Sequence, residues 1–171
     1  MLRSRLAGLV IFSIAFAFVE AAVVFYLRQL LRGELGSSGG SYRELLNLGV
    51  IAFVYPDASV LGDAQLGTAE MAREFCTIVM LGATAYLSGD RLKQRIGGFL
   101  VAFSVWDLLY YLFLKILTGW PEGLLDVDVY FLLPVPWVGP VLTPLVISTT
   151  LLLLGLRLYL TLPASLHGQR S

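Results

Sequence analysis

Charged side chains lie inside apolar segments of this 171-residue sequence, where an ionised group is costly. Asp107 lies in the middle of the segment FSVWDLLYYLFLK, Glu20 interrupts the first apolar run, and Glu74 lies near the start of a later one. Arg73 precedes Glu74, and Glu70 lies one helical turn before both. Because a charge in an apolar segment needs a partner within the protein, these residues are the first candidates for chemistry.

Helical spacing adds two tyrosines to these charges. Tyr110 and Tyr111 follow Asp107 by three and four residues, so all three share one side of a helix. Glu70 lies three residues before Arg73 and four before Glu74, so these three residues also share one side of a helix. The candidate site therefore has seven members: Glu20, Glu70, Arg73, Glu74, Asp107, Tyr110 and Tyr111.

The composition requires lipid as the surrounding solvent for much of the chain. Hydrophobic residues make up 57% of the sequence and charged residues 14%, against about 25% charged in soluble domains. A chain this short cannot bury so much apolar surface in a water-soluble core. Basic and acidic residues are equal in number at 12 each, and no basic patch for nucleic acid is present.

Four segments are long and apolar enough to cross a bilayer as helices of about 20 residues. They are 6–28, 69–88, 96–118 and 141–162. The sequence therefore predicts an all-α fold, a polytopic membrane helix bundle with about four transmembrane helices in a single domain over residues 1–171.

Two further segments are apolar but cannot span the membrane as regular helices. Residues 42–55 are too few, so we expect a short interfacial helix or a re-entrant segment in the first outer loop. Residues 131–140 (FLLPVPWVGP) contain three prolines, which predicts an irregular or extended segment before the last helix. This Pro-rich segment carries Trp137 and is expected to roof the pocket formed by the charged residues.

Basic residues orient the predicted spans. The clusters at 3–5 and 91–95 fall on one side of the membrane, and the acidic loop at 119–128 falls on the other. Three arginines between residues 28 and 43 run against this assignment. We expect both termini to be cytoplasmic in a prokaryotic plasma membrane, with the acidic loop outside.

The same topology brings the buried carboxylates to one level. At about 1.5 Å per residue, Glu20 lies about 12 Å below the outer end of its helix. Glu74 lies about 8 Å and Asp107 about 16 Å below the outer ends of theirs. The carboxylates therefore converge in the outer half of the membrane, near Arg73.

Two interpretations of this cluster stay open. In a structural one, Arg73 neutralises Asp107 or Glu20, and the polar groups hold the helices together. In a functional one, carboxylates outnumber the arginine, so the excess charge is relieved by a proton or a bound cation. Cys76 and His167 are the single cysteine and histidine of the sequence, so the candidate site offers oxygen ligands. Oxygen ligands suit a hard divalent ion such as Ca²⁺, Mg²⁺ or Mn²⁺. We expect no other cofactor.

These interpretations give three classes of function. The first is a small membrane protein that binds a cation, a proton or a small polar ligand, for transport or sensing. The second is a subunit or assembly factor of a larger membrane complex, with membrane-protein partners or further copies of itself in the bilayer. The third is a membrane enzyme that uses its carboxylates as acid and base on a lipid-derived substrate. The third is the least supported, because no catalytic motif is present.

Overall fold

The structure of the protein, a computed structural model, describes residues 2–31, 44–49, 51–54, 64–132 and 135–161. Most of these residues belong to four helices: α1 (Leu2–Leu31), α2 (Ala64–Ser88), α3 (Leu92–Thr118) and α4 (Leu142–Leu160). The prediction of a mainly helical chain is confirmed.

Three of these helices are long and apolar enough to cross a membrane: α1 over 2–29, α3 over 92–118 and α4 over 142–160. This finding supports an integral membrane protein. The second helix, α2, has 25 residues but is not among the three. Its first half carries Glu70, Arg73 and Glu74, which lower its hydropathy. The fourth span therefore stays a prediction.

A four-stranded antiparallel sheet, which sequence analysis did not predict, accompanies the helices. Its strands are β1 (Glu44–Asn47), β2 (Ala52–Val54), β3 (Val127–Phe131) and β4 (Trp137–Pro140), in the order β1-β2-β4-β3. Of the two alternatives expected for residues 42–55, the interfacial helix is wrong, because the described part of that segment forms β1 and β2. A re-entrant position of this segment stays a prediction. Pairing of β2 with β4 joins the first long connection to the Pro-rich segment.

The sequence explains the strands once their partners are known. The stretch VDVYF of β3 is rich in β-branched and aromatic residues, which suit a pleated, half-buried surface. In β4, Pro140 is the last residue of the strand, where the missing N–H does least harm to the hydrogen-bond ladder. The extended backbone expected for the Pro-rich segment is confirmed over 137–140.

Helix α3 lies at the centre of the bundle and packs against α1, α2 and α4. Its residues Val101, Ala102 and Leu114 are fully buried. The helix ends at Gly119, which has a left-handed conformation (φ +78°) and donates its N–H to the carbonyl of Lys115 at 2.9 Å. The Lys115 ammonium then donates to the carbonyl of Gly119 at 2.7 Å. A defined end of α3 sets the position of the chain that enters β3.

Glycines allow α3 and α4 to cross at close range. A Cβ atom on Gly97 would lie 2.6 Å from the backbone nitrogen of Tyr159 and 2.8 Å from the carbonyl oxygen of Gly155. The same end of the bundle, opposite the sheet, is tied by two polar contacts. The Tyr159 hydroxyl donates to the Ser88 carbonyl at 2.7 Å, and Arg5 pairs with Asp90 at 2.7 Å.

Replacing Gly97 with alanine is expected to destabilise the protein, because the new Cβ atom has no room between α3 and α4. Such overpacking costs about 1–3 kcal/mol. Gly82 is the matched control, since a Cβ atom there meets nothing within 4 Å and alanine favours the helix. Thermal unfolding in detergent compares the two variants. Equal melting temperatures for Gly97→Ala and Gly82→Ala would contradict the close crossing.

Candidate functional site

A cavity of about 330 Å³ lies between the four helices at the end of the bundle that the sheet covers. Its wall includes every one of the seven residues predicted from the sequence: Glu20, Glu70, Arg73, Glu74, Asp107, Tyr110 and Tyr111. Strand residues 128–131, the adjoining Leu132, and Trp137 complete the wall, so the expected roof from the Pro-rich segment is found. The structure thus brings the seven residues to one place, and their role stays a prediction.

Arg73 divides its charge between two glutamates, and we call Glu20, Glu70 and Arg73 the Arg73 cluster. The guanidinium forms an ion pair with Glu20 from α1 and donates from Nε to Oε2 of Glu70 at 2.8 Å. Thr77 donates its hydroxyl to the other oxygen of Glu20 at 2.8 Å. Because Glu20 is 5% exposed, its charge depends on these partners. Of the two partners expected for Arg73, the structure selects Glu20.

Glu74 connects α2 to the cover of the cavity. Its Oε2 atom accepts a hydrogen bond from the backbone N–H of Leu132 at 2.8 Å, directly after β3 ends. A backbone N–H near the membrane needs an acceptor within the protein, and a carboxylate is a strong one. Glu74 therefore holds the sheet to the helices.

Asp107 is buried away from the described basic residues. It is 8% exposed, and its Oδ2 atom accepts a hydrogen bond from the Ser148 hydroxyl at 2.6 Å. No ion pair to Asp107 within 4.0 Å exists among the described residues. The expected alternative in which Arg73 neutralises Asp107 is therefore wrong. A hydroxyl donor satisfies one lone pair of the carboxylate but does not cancel its charge.

Asp128 is a member of the site that sequence analysis missed. It lies in β3 and accepts a hydrogen bond from the Tyr111 hydroxyl at 3.0 Å. Burial raises the pKa of Asp128 above its ordinary value, and the Tyr111 hydroxyl and the Arg28 charge oppose that rise. The sequence analysis placed this residue in the acidic loop 119–128. The signal that could have found it is its position within the β-branched and aromatic stretch VDVYF.

Aromatic rings form the other part of the wall. Trp106 lies with its ring centroid 6.3 Å from those of Tyr110 and Phe131, and the Phe103 ring is 6.4 Å from that of Phe131. The indole N–H of Trp106 is buried and has no hydrogen-bond partner among the described residues. The cavity therefore combines acidic groups with the faces and edges of aromatic rings, and Trp137 also lies in its wall.

The described residues contain no group of three or more histidine, cysteine, aspartate or glutamate side chains arranged to hold a metal ion. The carboxylates share one cavity, yet they have separate hydrogen-bond donors: Arg73 for Glu20 and Glu70, a backbone N–H for Glu74, and two different hydroxyls for Asp107 and Asp128. A hard divalent cation takes several oxygens from one point in space. The geometry of the described residues therefore does not favour the divalent ion expected from the sequence.

Comparison with known proteins identifies no relative: no family model, curated protein or solved structure matches the chain.

Replacing Arg73 with methionine is expected to destabilise the protein strongly, because Glu20 would be left buried without its counter-ion. Breaking such a pair costs about 3–5 kcal/mol. The double variant Glu20→Gln/Arg73→Met removes the orphaned charge and should recover much of this loss. Arg3→Met, at an exposed position, is the control and should change little. Unfolding in detergent measures all three, and an Arg73→Met protein as stable as the control would contradict the ion pair.

Proposed function

We propose that the protein is a four-span membrane protein that binds a small ligand in the cavity beneath its sheet, as part of transport or sensing. The observation that carries the proposal is the cavity itself, which collects all seven predicted residues in one wall. Its volume of about 330 Å³ lies at the lower end of the range of small-molecule sites, about 300–1,000 Å³.

The groups of the wall differ in what they offer a ligand. Arg73 is engaged by Glu20 and Glu70, so these residues contribute mainly to the stability of the bundle. Asp107 and Asp128 accept hydrogen bonds from hydroxyl groups and form no ion pairs with described residues. These two carboxylates, with the aromatic rings beside them, are the ligand-binding groups of the proposal.

A second candidate function follows from the Arg73 cluster. Ion pairs of this kind fix the packing of membrane helices, and a structural role for them favours a subunit or assembly factor of a larger membrane complex. Such a protein would be purified in mild detergent with partners at a fixed ratio. A monomer free of partners would favour ligand binding instead.

The proposal includes an orientation. Helices α1 and α3 end at the sheet, and α2 and α4 begin there, so one side of the membrane holds the sheet and the cavity. The positive-inside rule assigns that side to the exterior, with both termini in the cytoplasm. A ligand would then enter from outside.

Single cysteines test this orientation. In a Cys76→Ser background, Glu122→Cys lies in the loop after α3 and Lys93→Cys near the start of α3, and both positions are exposed. A membrane-impermeant maleimide added to intact cells should label residue 122 and not residue 93. The reverse pattern would place the cavity on the cytoplasmic side.

Ligand binding is tested by blocking the cavity. Val24 lines it, whereas Val23 is a neighbouring, similarly half-buried valine of α1 outside its wall. Benzylamine, benzoate and benzyl alcohol serve as a cationic, an anionic and a neutral probe. At least one should raise the melting temperature of the natural protein and of Val23→Trp, by mass action, and none should stabilise Val24→Trp. If no probe gives stabilisation that depends on residue 24, the proposed function is wrong.

A further inference from the structure

We propose that the ligand of this cavity is an organic cation, an ammonium group joined to a small apolar group, held between Asp107, Asp128 and the aromatic wall. This inference rests on the proposed function and names the chemical class of its ligand.

Negative groups outnumber positive ones in the described wall. Five carboxylates line the cavity, against the guanidiniums of Arg28 and Arg73. Arg73 belongs to its cluster, and the Arg28 guanidinium lies 4.3 Å from the ring centroid of Trp120, which is not part of the wall. Both positive groups thus have partners of their own, and the wall as a whole keeps an excess of carboxylates.

That excess centres on two carboxylates. Asp107 is more than nine-tenths buried, and its described hydrogen-bond donor is the neutral Ser148 hydroxyl. Asp128, on the sheet, has the neutral Tyr111 hydroxyl as its donor. Since Tyr111 lies one helical turn after Asp107 on α3, both carboxylates belong to the same part of the cavity wall. Two like charges in a poorly hydrated site are relieved by a proton or by a positive group bound between them. No described basic residue forms an ion pair with either carboxylate. The charge of Arg28 acts on Asp128 from a longer distance, and its guanidinium lies over Trp120. The proposal therefore assigns the close positive group to a ligand.

The rings determine what kind of cation fits. Trp106, Tyr110 and Phe131 lie side by side in the wall, and the negative face of an aromatic ring attracts an ammonium group within about 6 Å. Aromatic walls are the usual partners of quaternary ammonium ligands, and they also bury an attached apolar group. A metal ion gains little from such rings and takes several oxygen ligands from one point, which the described carboxylates do not provide.

Matched probes test the charge. Benzyltrimethylammonium carries a permanent positive charge, and neopentylbenzene has the same shape with a carbon in place of the nitrogen. Benzoate supplies the opposite charge. Calorimetry on the purified protein in neutral detergent at low salt should show the cation binding about tenfold more tightly than its neutral counterpart. Benzoate should bind more weakly than either.

Variants of the two carboxylates locate the site. Asp107→Asn keeps the shape of the side chain and an acceptor for Ser148, and Asp128→Asn does the same for Tyr111. Each should weaken binding of benzyltrimethylammonium about tenfold, because a charge partner is lost. Glu122→Gln removes one negative charge from an exposed loop position outside the wall and should leave binding unchanged. If Asp107→Asn does not fold, the result with Asp128→Asn decides the question.

The outcomes separate this inference from the proposed function. Equal binding of neopentylbenzene, tighter binding of benzoate, or unchanged binding in a folded Asp107→Asn or Asp128→Asn protein would overturn the organic cation. The proposed function would survive each of these results if some probe still required an open cavity at Val24. Absence of any probe binding that depends on Val24 would overturn both.

Discussion

A carboxylate placed among apolar helices must find a partner within the protein, and Glu20 shows how much follows from this requirement. At 5% exposure it cannot rely on water, so α2 brings Arg73 and Thr77 to its two oxygens. These contacts set the position of α2 against α1. Since α2 is the most polar of the four helices, the Arg73 cluster is what allows it to lie in the bundle.

The sheet satisfies a second requirement, which is that backbone N–H and C=O groups outside the helices form hydrogen bonds. Non-helical chain near a membrane must have its N–H and C=O groups paired within the protein. The two long connections of the chain achieve this by pairing with each other through β2 and β4, and Glu74 accepts the N–H that follows β3. The result is a cover that closes one end of the bundle and leaves a cavity beneath it.

The helices and the candidate residues could be predicted because their signals are local. Apolar runs near Asp107 and Glu20 identify helices by length, and spacing by three and four residues places polar groups on one side. The sheet could not be predicted this way, because β2 and β4 come from distant parts of the chain. The sequence of each strand does not indicate which other strand it pairs with. Asp128 and Ser148 were missed for the same reason. Each becomes part of the site through a contact with another element, to Tyr111 and to Asp107.

The sequence by itself determined that the chain is mainly helical, that it suits a membrane, and that the seven candidate residues belong together at one end of the bundle. Hydropathy and helical period are properties of single segments, so both can be determined from the sequence without knowledge of the fold. Only the tertiary structure decided which partner each charge takes: Arg73 pairs with Glu20 and Glu70, and Asp107 receives a hydroxyl. That choice depends on distances of a few ångströms between helices, which no single segment contains.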